Sequence, residues 1–102
     1  MHARVMQFQI VPGKVNEFAE AVRSIAPLAN QQKGFRGFIA LHTREKTPIE
    51  VETISLWDSL DDLDASEKNL YLYEALARLQ SFAQGFPRIQ VYQVLARETP
   101  PV

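Results

Sequence analysis

Polar and apolar residues alternate in four stretches of the chain, and this two-residue period predicts four β-strands. The stretches cover residues 3–11, 35–44, 51–57 and 89–96. In the first strand, Met6, Phe8 and Ile10 fall on one face. In the second, the alternation places Phe35, Ile39 and Leu41 on one side and Phe38, Ala40 and His42 on the other.

Two further stretches repeat their apolar residues at three- and four-residue steps, which predicts helices. The first helix starts near Lys14 and carries the stripe Val15, Phe18, Ala19, Val22, Ile25 and Ala26. We expect Pro27 to break or kink this helix, because proline cannot donate the backbone hydrogen bond. The second helical region opens at Ser59, bends around residues 67–70 and carries the stripe Leu72, Leu76, Leu79 and Ala83. Gly85-Phe86-Pro87 is expected to end it.

In chain order these elements read βαββαβ. With short connections and right-handed crossovers, this order predicts an α+β, ferredoxin-like fold, in which a four-stranded antiparallel sheet carries its helices on one face. Residues 45–48 have the composition of a polar hairpin-type loop. We expect residues 1–98 to form a single domain and residues 99–102 to form a frayed tail.

The predicted strands carry apolar residues on both faces. In the third strand, Ile54 and Leu56 lie on one side, and Val51 and Trp57 lie on the other. An antiparallel sheet with one face in water should instead alternate apolar with polar residues, and monomers rarely expose a large apolar patch. We therefore expect a homodimer in which two sheets pack face to face and close an α/β barrel with the helices outside.

Composition and charge exclude several classes of function. The chain has 11 basic and 12 acidic residues, interspersed along its length, so it lacks the basic stripe of a nucleic-acid-binding protein. No apolar run is long enough to span a membrane, and the first residues lack a signal-peptide core, so we expect a cytoplasmic protein. There is no cysteine, and His2 and His42 are far apart, so we expect no metal site.

Trp57, the only tryptophan, ends the third strand, and a helix start follows within two residues. Ser59 is a favourable N-cap, and Asp62 can complete a capping box. Trp57 is therefore expected at the seam between sheet and helices, where pockets tend to form. It either lines a pocket and offers its indole N–H to a substrate, or packs in the core with that N–H on a backbone carbonyl. The core interpretation is favoured, because single tryptophans in small domains are usually structural.

Four segments of the chain together resemble the antibiotic biosynthesis monooxygenase family of dimeric α/β-barrel proteins. They are residues 11–18, 32–37, 54–59 and 91–94, and they span nearly the whole chain in the family's order. The resemblance implies a homodimer that oxygenates phenolic, quinol-like or polycyclic aromatic molecules without a cofactor. It also matches Trp57 to the family's strand-ending tryptophan.

Two departures from the family bear on the chemistry. Family members often have a histidine about nine residues beyond the tryptophan, where this chain has Ser66. A haem-degrading branch relies on an asparagine, a tryptophan and a histidine, at positions that correspond here to Met6, Ser66 and about Leu76. None of the three matches, and no imidazole near Leu76 could ligate haem iron. Haem degradation is therefore disfavoured.

Oxygenation without a cofactor needs an electron-rich substrate that reduces dioxygen once it is deprotonated. The protein must supply a dry pocket, a group that takes a proton and donors that hold the anion. His42 and Trp57 are the catalytic candidates, although His42 on a strand is more simply exposed or hydrogen-bonded. The candidate substrate-binding residues are Phe8, Trp57, Ser66, Tyr71 and Tyr73. Because Tyr71 and Tyr73 are two residues apart in a helix, they point to different sides.

The leading functional hypothesis is therefore a cofactor-independent monooxygenase whose partners are a second copy of the chain and a small aromatic or hydrophobic ligand. The alternative from another class is a non-enzymatic dimeric barrel that binds a small hydrophobic ligand. A metabolite isomerase or decarboxylase on the same scaffold is the third hypothesis. Oxygen consumption with quinol-type substrates separates the first hypothesis from the second.

Overall fold

The computed structural model describes residues 1–44 and 49–101. The loop predicted at residues 45–48 and the last residue of the predicted tail lie outside the described residues. The elements in chain order are β1 (His2–Ile10), α1 (Val15–Ala29), β2 (Phe35–His42), β3 (Glu50–Trp57), α2 (Leu60–Lys68), α3 (Leu70–Gln80) and β4 (Ala83–Gln93). Residues 94–101 follow β4 without regular secondary structure.

The four strands form one antiparallel sheet in the order β2-β3-β1-β4. This is the ferredoxin-like arrangement, and it confirms the predicted α+β fold class. The central strand β1 turns Met6, Phe8 and Ile10 toward the helices, where they join the hydrophobic core. The alternation of β1 therefore identified the face of the sheet that the helices cover.

Pro27 does not break helix α1, although a break or a kink was expected there. The helix continues to Ala29 with Pro27 inside it. Pro27 lacks the N–H that would donate to the carbonyl four residues earlier, but only two residues of the helix follow it. Arg78 of α3 supports this part of the helix from outside by donating to the carbonyl of Ser24 at 2.8 Å, and the buried Ala29 anchors its end in the core.

The predicted boundary between the last helix and strand was wrong. Helix α3 ends at Gln80, and β4 already begins at Ala83 and ends at Gln93. Gly85-Phe86-Pro87 lies inside β4 at an irregularity in its pairing with β1. Gly85 has a φ of +69°, and Pro87 cannot donate to a ladder, so the segment that reads as a helix stop is accommodated as a bulge.

A bulge in β2 overturns the predicted division of its side chains. Phe35 and Phe38 are three positions apart, whereas their partners on β3 are two apart. Gly37 lies within the bulge at a φ of +113°, a conformation that other residues rarely adopt. Phe35 and Phe38 therefore both pack against the core, with ring centroids 6.1 Å apart, while Ile39 and Leu41 remain exposed.

The second helical region begins and bends where the sequence predicts. The Ser59 side chain accepts a hydrogen bond from the Asp62 backbone N–H at 3.1 Å and caps α2. Asn69 separates α2 from α3, and its side chain accepts from the Tyr71 N–H at 2.9 Å. Gly34 precedes β2 with a φ of +79°, and a Cβ there would lie 2.2 Å from a carboxylate oxygen of Asp62. Glycine is therefore required where this turn meets α2.

The core between the sheet and the helices has two ends that differ in composition. The apolar end, at the end of β1, comprises Phe8, Ile10, Phe18 and Val51. The polar end, near the start of β1, comprises Arg4, Thr53, Ser55, Trp57 and Ser66. Among the described residues, the buried polar ones Arg4, Thr53 and Ser66 thus lie toward the end of the core where β3 leads into α2.

The face of the sheet turned away from the helices has an apolar part around Val5 and Ile54, whereas Gln7 and Glu52 lie on the same face farther along the strands. Ile39, Leu41 and Tyr92 on this open face are 53%, 48% and 49% exposed. Ile39 pairs with Ile54, which pairs in turn with Val5 of β1, so the apolar residues are contiguous across three strands. Among the described residues, no helix is long and apolar enough to cross a membrane.

Candidate functional site

Trp57 lies at the seam where β3 ends and α2 follows, and it is completely buried. Its indole N–H donates to the Ser55 hydroxyl at 3.0 Å. Its ring packs edge-on against Phe35 and Tyr71, at centroid distances of 5.4 Å and 6.3 Å. Trp57 therefore joins β2, β3 and α3, and it fixes the position of the Ser55 hydroxyl.

Arg4 projects from β1 into the same seam and is only 1% exposed. Its Nη2 donates to the Leu63 carbonyl at 3.3 Å and to the Ser66 hydroxyl. Within the described residues, both hydrogen bonds of the guanidinium start from Nη2. The guanidinium carbon is 5.4 Å from the centre of the Trp57 ring, within the range of a cation–π interaction. Helix α2 and Trp57 thus hold Arg4 in one orientation.

Glu67 is the carboxylate that faces Arg4. Its Oε1 lies 3.5 Å from Nε of Arg4, and the side chain is 39% exposed. This is an ion pair without a hydrogen bond, because the buried Nε has no hydrogen-bond partner in the described part of the chain. Burial lowers the pKa of Arg4, and the charge of Glu67 opposes that shift. A guanidinium remains protonated at neutral pH, so the seam contains a buried positive charge.

A cavity of about 30 Å³ lies beside Arg4, between the sheet and helices α1 and α3. Most of its wall is apolar and includes Met6, Phe38 and Leu72. Its polar lining consists of Arg4, Thr53, Ser55 and Tyr71. The described residues that line it include no carboxylate and no imidazole.

Two of the polar groups at this cavity have unused hydrogen-bonding capacity. The Nε of Arg4 and the Oγ1 of Thr53 are buried, and neither has a hydrogen-bond partner among the described residues. Thr53 is 8% exposed, so bulk water does not replace the missing partner. Buried polar groups are nearly always paired, and an unpaired one needs an explanation such as a bound molecule.

Tyr71 brings a phenol to the cavity from the first turn of α3. Burial raises the pKa of Tyr71, and the nearby charge of Arg4 pulls it back toward lower values. The net shift is upward, so the hydroxyl is neutral at physiological pH. A neutral phenol can donate a hydrogen bond to an oxygen atom of a bound molecule.

The structure brings some of the predicted site residues together at the seam. Tyr71 lines the cavity directly. Trp57 and Ser66 do not line the cavity but contact residues that do. Trp57 donates to the lining residue Ser55, and Ser66 accepts from the lining residue Arg4. The core interpretation predicted that the Trp57 N–H would donate to a backbone carbonyl. It donates instead to the Ser55 hydroxyl.

The other predicted site residues lie elsewhere. Phe8 belongs to the apolar end, where its ring is 5.1 Å from that of Phe18. Tyr73 is 69% exposed and points away from Tyr71. His42 is exposed at the edge strand β2, beside a shallow groove lined in part by Val15 and Phe18, and its Nδ1 lies 3.3 Å from the Thr43 carbonyl.

Arg4 and Thr53 are site residues that the sequence reasoning did not find. One signal pointed to Arg4: it precedes Met6 by two positions, so the alternation of the first strand places it on the core face. A charged residue on a core face is unusual and frequently functional. Thr53 gave no comparable signal, because threonine is common in strands.

The chain was compared with known proteins. A sequence model described as antibiotic biosynthesis monooxygenase matches residues 1–78. No curated protein matches significantly. Among solved structures, a protein from Bordetella bronchiseptica provisionally described as an antibiotic biosynthesis monooxygenase has a TM-score of 0.81 at 16% identity, over 93% of this chain and 97% of that one.

Two further structures show the same fold. SnoaB from Streptomyces nogalater, a cofactor-independent oxygenase, has a TM-score of 0.74 at 21% identity, over 99% of this chain and 97% of that one. A conserved protein from Methanosarcina mazei has a TM-score of 0.74 at 20% identity, over 90% of each chain. Because the family model covers more than three quarters of the sequence, the chain belongs to the antibiotic biosynthesis monooxygenase family.

Proposed function

We propose that the protein is a cofactor-independent monooxygenase that acts on a small phenolic or quinol-like aromatic molecule. The observation that carries the proposal is the cavity beside the seam, whose mostly apolar lining includes the hydroxyl-bearing residues Thr53, Ser55 and Tyr71. An apolar cavity with a few converging polar groups is the usual form of a small-molecule site. Membership of the family supports the reaction type, as does the fold shared with the oxygenase SnoaB.

In such a reaction the substrate supplies the electrons. A phenol loses its proton, the phenolate passes one electron to dioxygen, and the substrate radical and superoxide combine at a ring carbon. A proton returns to give a hydroperoxide, and loss of water from it leaves a quinone. One oxygen atom enters the product, and the other leaves as water. The protein has to exclude bulk water, orient the ring and stabilise the anion.

The geometry suggests separate roles for two of the aromatic residues. Tyr71 offers a neutral hydroxyl to the substrate oxygen, because burial keeps its pKa above the usual value. Trp57 has a positioning role, since it is fully buried and its N–H holds the Ser55 hydroxyl at the cavity wall.

The size of the cavity limits the substrate. A volume of about 30 Å³ accommodates roughly two water molecules, far less than the roughly 300–1,000 Å³ of most ligand sites. Ring binding therefore requires lining side chains to move, and the unbranched side chain of Met6 is of the kind that adapts to a changed cavity. A single aromatic ring needs a smaller displacement than a polycyclic one, so we propose a single-ring substrate.

We also propose that the active species is a homodimer whose open sheet faces pack against each other. The exposed apolar residues Ile39, Leu41 and Tyr92 would otherwise form an apolar patch in water. Light scattering at micromolar concentration should give the mass of two chains. A purely monomeric species would contradict this part of the proposal.

The reaction is tested by measuring dioxygen uptake with a panel of single-ring hydroquinones and phenols. We expect uptake with at least one substrate, and a 10- to 100-fold loss of kcat/KM, roughly, in Tyr71→Phe. The matched control is Tyr73→Phe, because Tyr73 lies on the same helix and is exposed. Equal activity of Tyr71→Phe and the control would remove Tyr71 from the mechanism, and no uptake with any substrate would contradict the proposed reaction.

A non-enzymatic binding protein is the second candidate. It is favoured by one observation, that the described residues lining the cavity include no carboxylate or imidazole to act as a base. Thermal stabilisation by the same phenols without any oxygen uptake would support this candidate over the oxygenase.

A further inference from the structure

We propose that Arg4 binds an ionised oxygen of the ligand, so that the cavity selects single-ring aromatic anions, such as phenolates, over neutral molecules of the same shape. The inference rests on the proposed function for the location of the site. It adds the charge state of the ligand and the residue that recognises it. It does not depend on whether the bound molecule then reacts with dioxygen.

Arg4 has unused hydrogen-bonding capacity. A guanidinium has five N–H donors, and the two hydrogen bonds of Arg4 within the described residues both start from Nη2. The Nε is buried and faces Oε1 of Glu67 at 3.5 Å, but it has no hydrogen-bond partner in the described part of the chain. Thr53, on the neighbouring strand, adds a second buried polar atom without a partner to the same cavity. One bound oxygen acceptor can satisfy Arg4, and a second contact can satisfy Thr53.

The charge at the seam also favours an anion. Arg4 is 1% exposed and contributes a positive charge that Glu67 neutralises only in part, since Glu67 is 3.5 Å away and 39% exposed. Water screens the exposed carboxylate more than the buried guanidinium. An anion in the cavity would therefore meet a net attractive field in a region of low dielectric constant, where charge-assisted hydrogen bonds are strong.

Arg4 can also promote the ionisation of a bound phenol. No carboxylate or imidazole is among the described residues that line the cavity. A guanidinium that stabilises the phenolate lowers the pKa of the bound phenol, and the proton can then pass to solvent. Arg4 thereby supplies the ionised substrate that oxygenation requires without a protein base at the cavity.

Arg4 is held in place before any ligand binds. The Ser66 hydroxyl and the Leu63 carbonyl fix Nη2, and the guanidinium carbon lies over the Trp57 ring, 5.4 Å from its centre. A donor that is already oriented loses little conformational freedom on binding, so its interaction contributes to affinity. A flexible surface arginine would lack this advantage.

The test uses 4-nitrophenol, whose absorbance distinguishes the phenolate from the phenol, and nitrobenzene as its neutral counterpart. At a pH where free 4-nitrophenol is mostly ionised, we expect the full-length protein to bind it about 10-fold or more tightly than nitrobenzene. We also expect the bound phenol to ionise at a lower pH than the free phenol. Equal or tighter binding of nitrobenzene, or no change in the ionisation of 4-nitrophenol, would overturn the proposal.

Two variants assign the effect to Arg4. Arg4→Gln should abolish the preference for the anion, but it also removes two contacts to α2 and can unfold the chain. Glu67→Gln avoids this difficulty, because Glu67 is partly exposed. Removing the carboxylate that competes for Arg4 should tighten 4-nitrophenolate binding by about 3- to 10-fold and leave nitrobenzene binding unchanged.

The matched control is Glu20→Gln, which removes the same charge from the exposed surface of α1. It should leave the affinity for 4-nitrophenolate unchanged. Glu67→Gln with unchanged or weaker anion binding would show that Arg4 is only a structural ion-pair partner. Anion-selective binding without oxygen uptake would contradict the oxygenase and leave this inference standing. Oxygen uptake together with a preference for neutral ligands would support the oxygenase and contradict this inference.

Discussion

The apolar end and the polar end of the core are both buried, yet they differ in how their side chains are satisfied. At the apolar end, Phe8 and Phe18 meet edge to face at 5.1 Å within the hydrophobic core. At the polar end, Arg4 and Thr53 have buried polar atoms without hydrogen-bond partners among the described residues. One sheet thus carries a well-packed stabilising region and a region that is incomplete by itself.

This difference separates stability from function within a small domain. Apolar burial is favourable without any further partner, whereas a buried charge or an unpaired hydroxyl lowers stability unless something pairs with it. The polar end is therefore the part of the core whose composition is best explained by a bound molecule. Its cavity lies between the sheet and helices α1 and α3, next to the seam where Trp57 ends β3.

The largest effect is expected at the apolar end. Phe18→Ala should lower the free energy of unfolding by about 3–5 kcal/mol, because it removes a fully buried ring and leaves a cavity. Chemical denaturation measures the loss, and Phe86→Ala is the matched control because Phe86 is exposed. A loss no greater than that of the control would mean that the apolar end does not dominate stability.

A smaller loss is expected for Trp57→Phe at the polar end. The substitution removes part of a buried ring and the hydrogen bond to Ser55, which should cost about 2 kcal/mol. We also expect weaker binding of phenols, since the Ser55 hydroxyl is no longer held at the cavity wall. A loss larger than that of Phe18→Ala, measured by the same denaturation, would reverse the comparison between the two ends.

Ser66→Ala tests the support of Arg4 directly. Without the hydroxyl, Nη2 of Arg4 loses an acceptor in a buried site, which should cost about 1–3 kcal/mol. Ser24→Ala is the matched control, because Ser24 makes a similar hydroxyl bond to the carbonyl three residues earlier but is exposed. Equal thermal stability of the two variants would show that Ser66 does not hold Arg4.

The smallest effect is expected from Tyr71 and appears only at alkaline pH. Burial raises its pKa above the ordinary value of 10.0, so the folded state retains the proton while the unfolded state loses it. The stability that Tyr71 contributes is fully present below about pH 10 and is lost as the pH rises through its folded pKa. Tyr71→Phe should therefore flatten the decline of stability above pH 10, and Tyr73→Phe should not. Identical pH profiles for the two variants would contradict the assigned shift.

The sequence predicted the parts of the structure that depend on local patterns. The alternation of Met6, Phe8 and Ile10 identified the covered face of β1, and Ser59 marked the start of α2. The pattern failed where an irregularity changes the register. The bulge at Gly37 moves Phe35 to the core face, and the segment containing Gly85 and Pro87 belongs to a strand. Such irregularities depend on the pairing of strands, which no local period records.

The candidate site was predictable only in its location. The sequence placed Trp57 at the seam, and Tyr71 is among the residues it proposed for ligand binding. It did not bring Arg4 to Ser66, because these residues are 62 positions apart and meet only when α2 packs beside β1. His42, the imidazole candidate, lies at the edge of β2 beside a different groove.

By itself, the sequence determined the order of the elements, the ferredoxin-like fold and the family, because these follow from periodicity, from helix caps and from short segments that keep their order. The tertiary structure alone decided which polar groups share a cavity and which lack partners. That information resides in contacts between distant segments, where folding turns Arg4 from one charged residue of a strand into a buried, fixed guanidinium that lines a cavity.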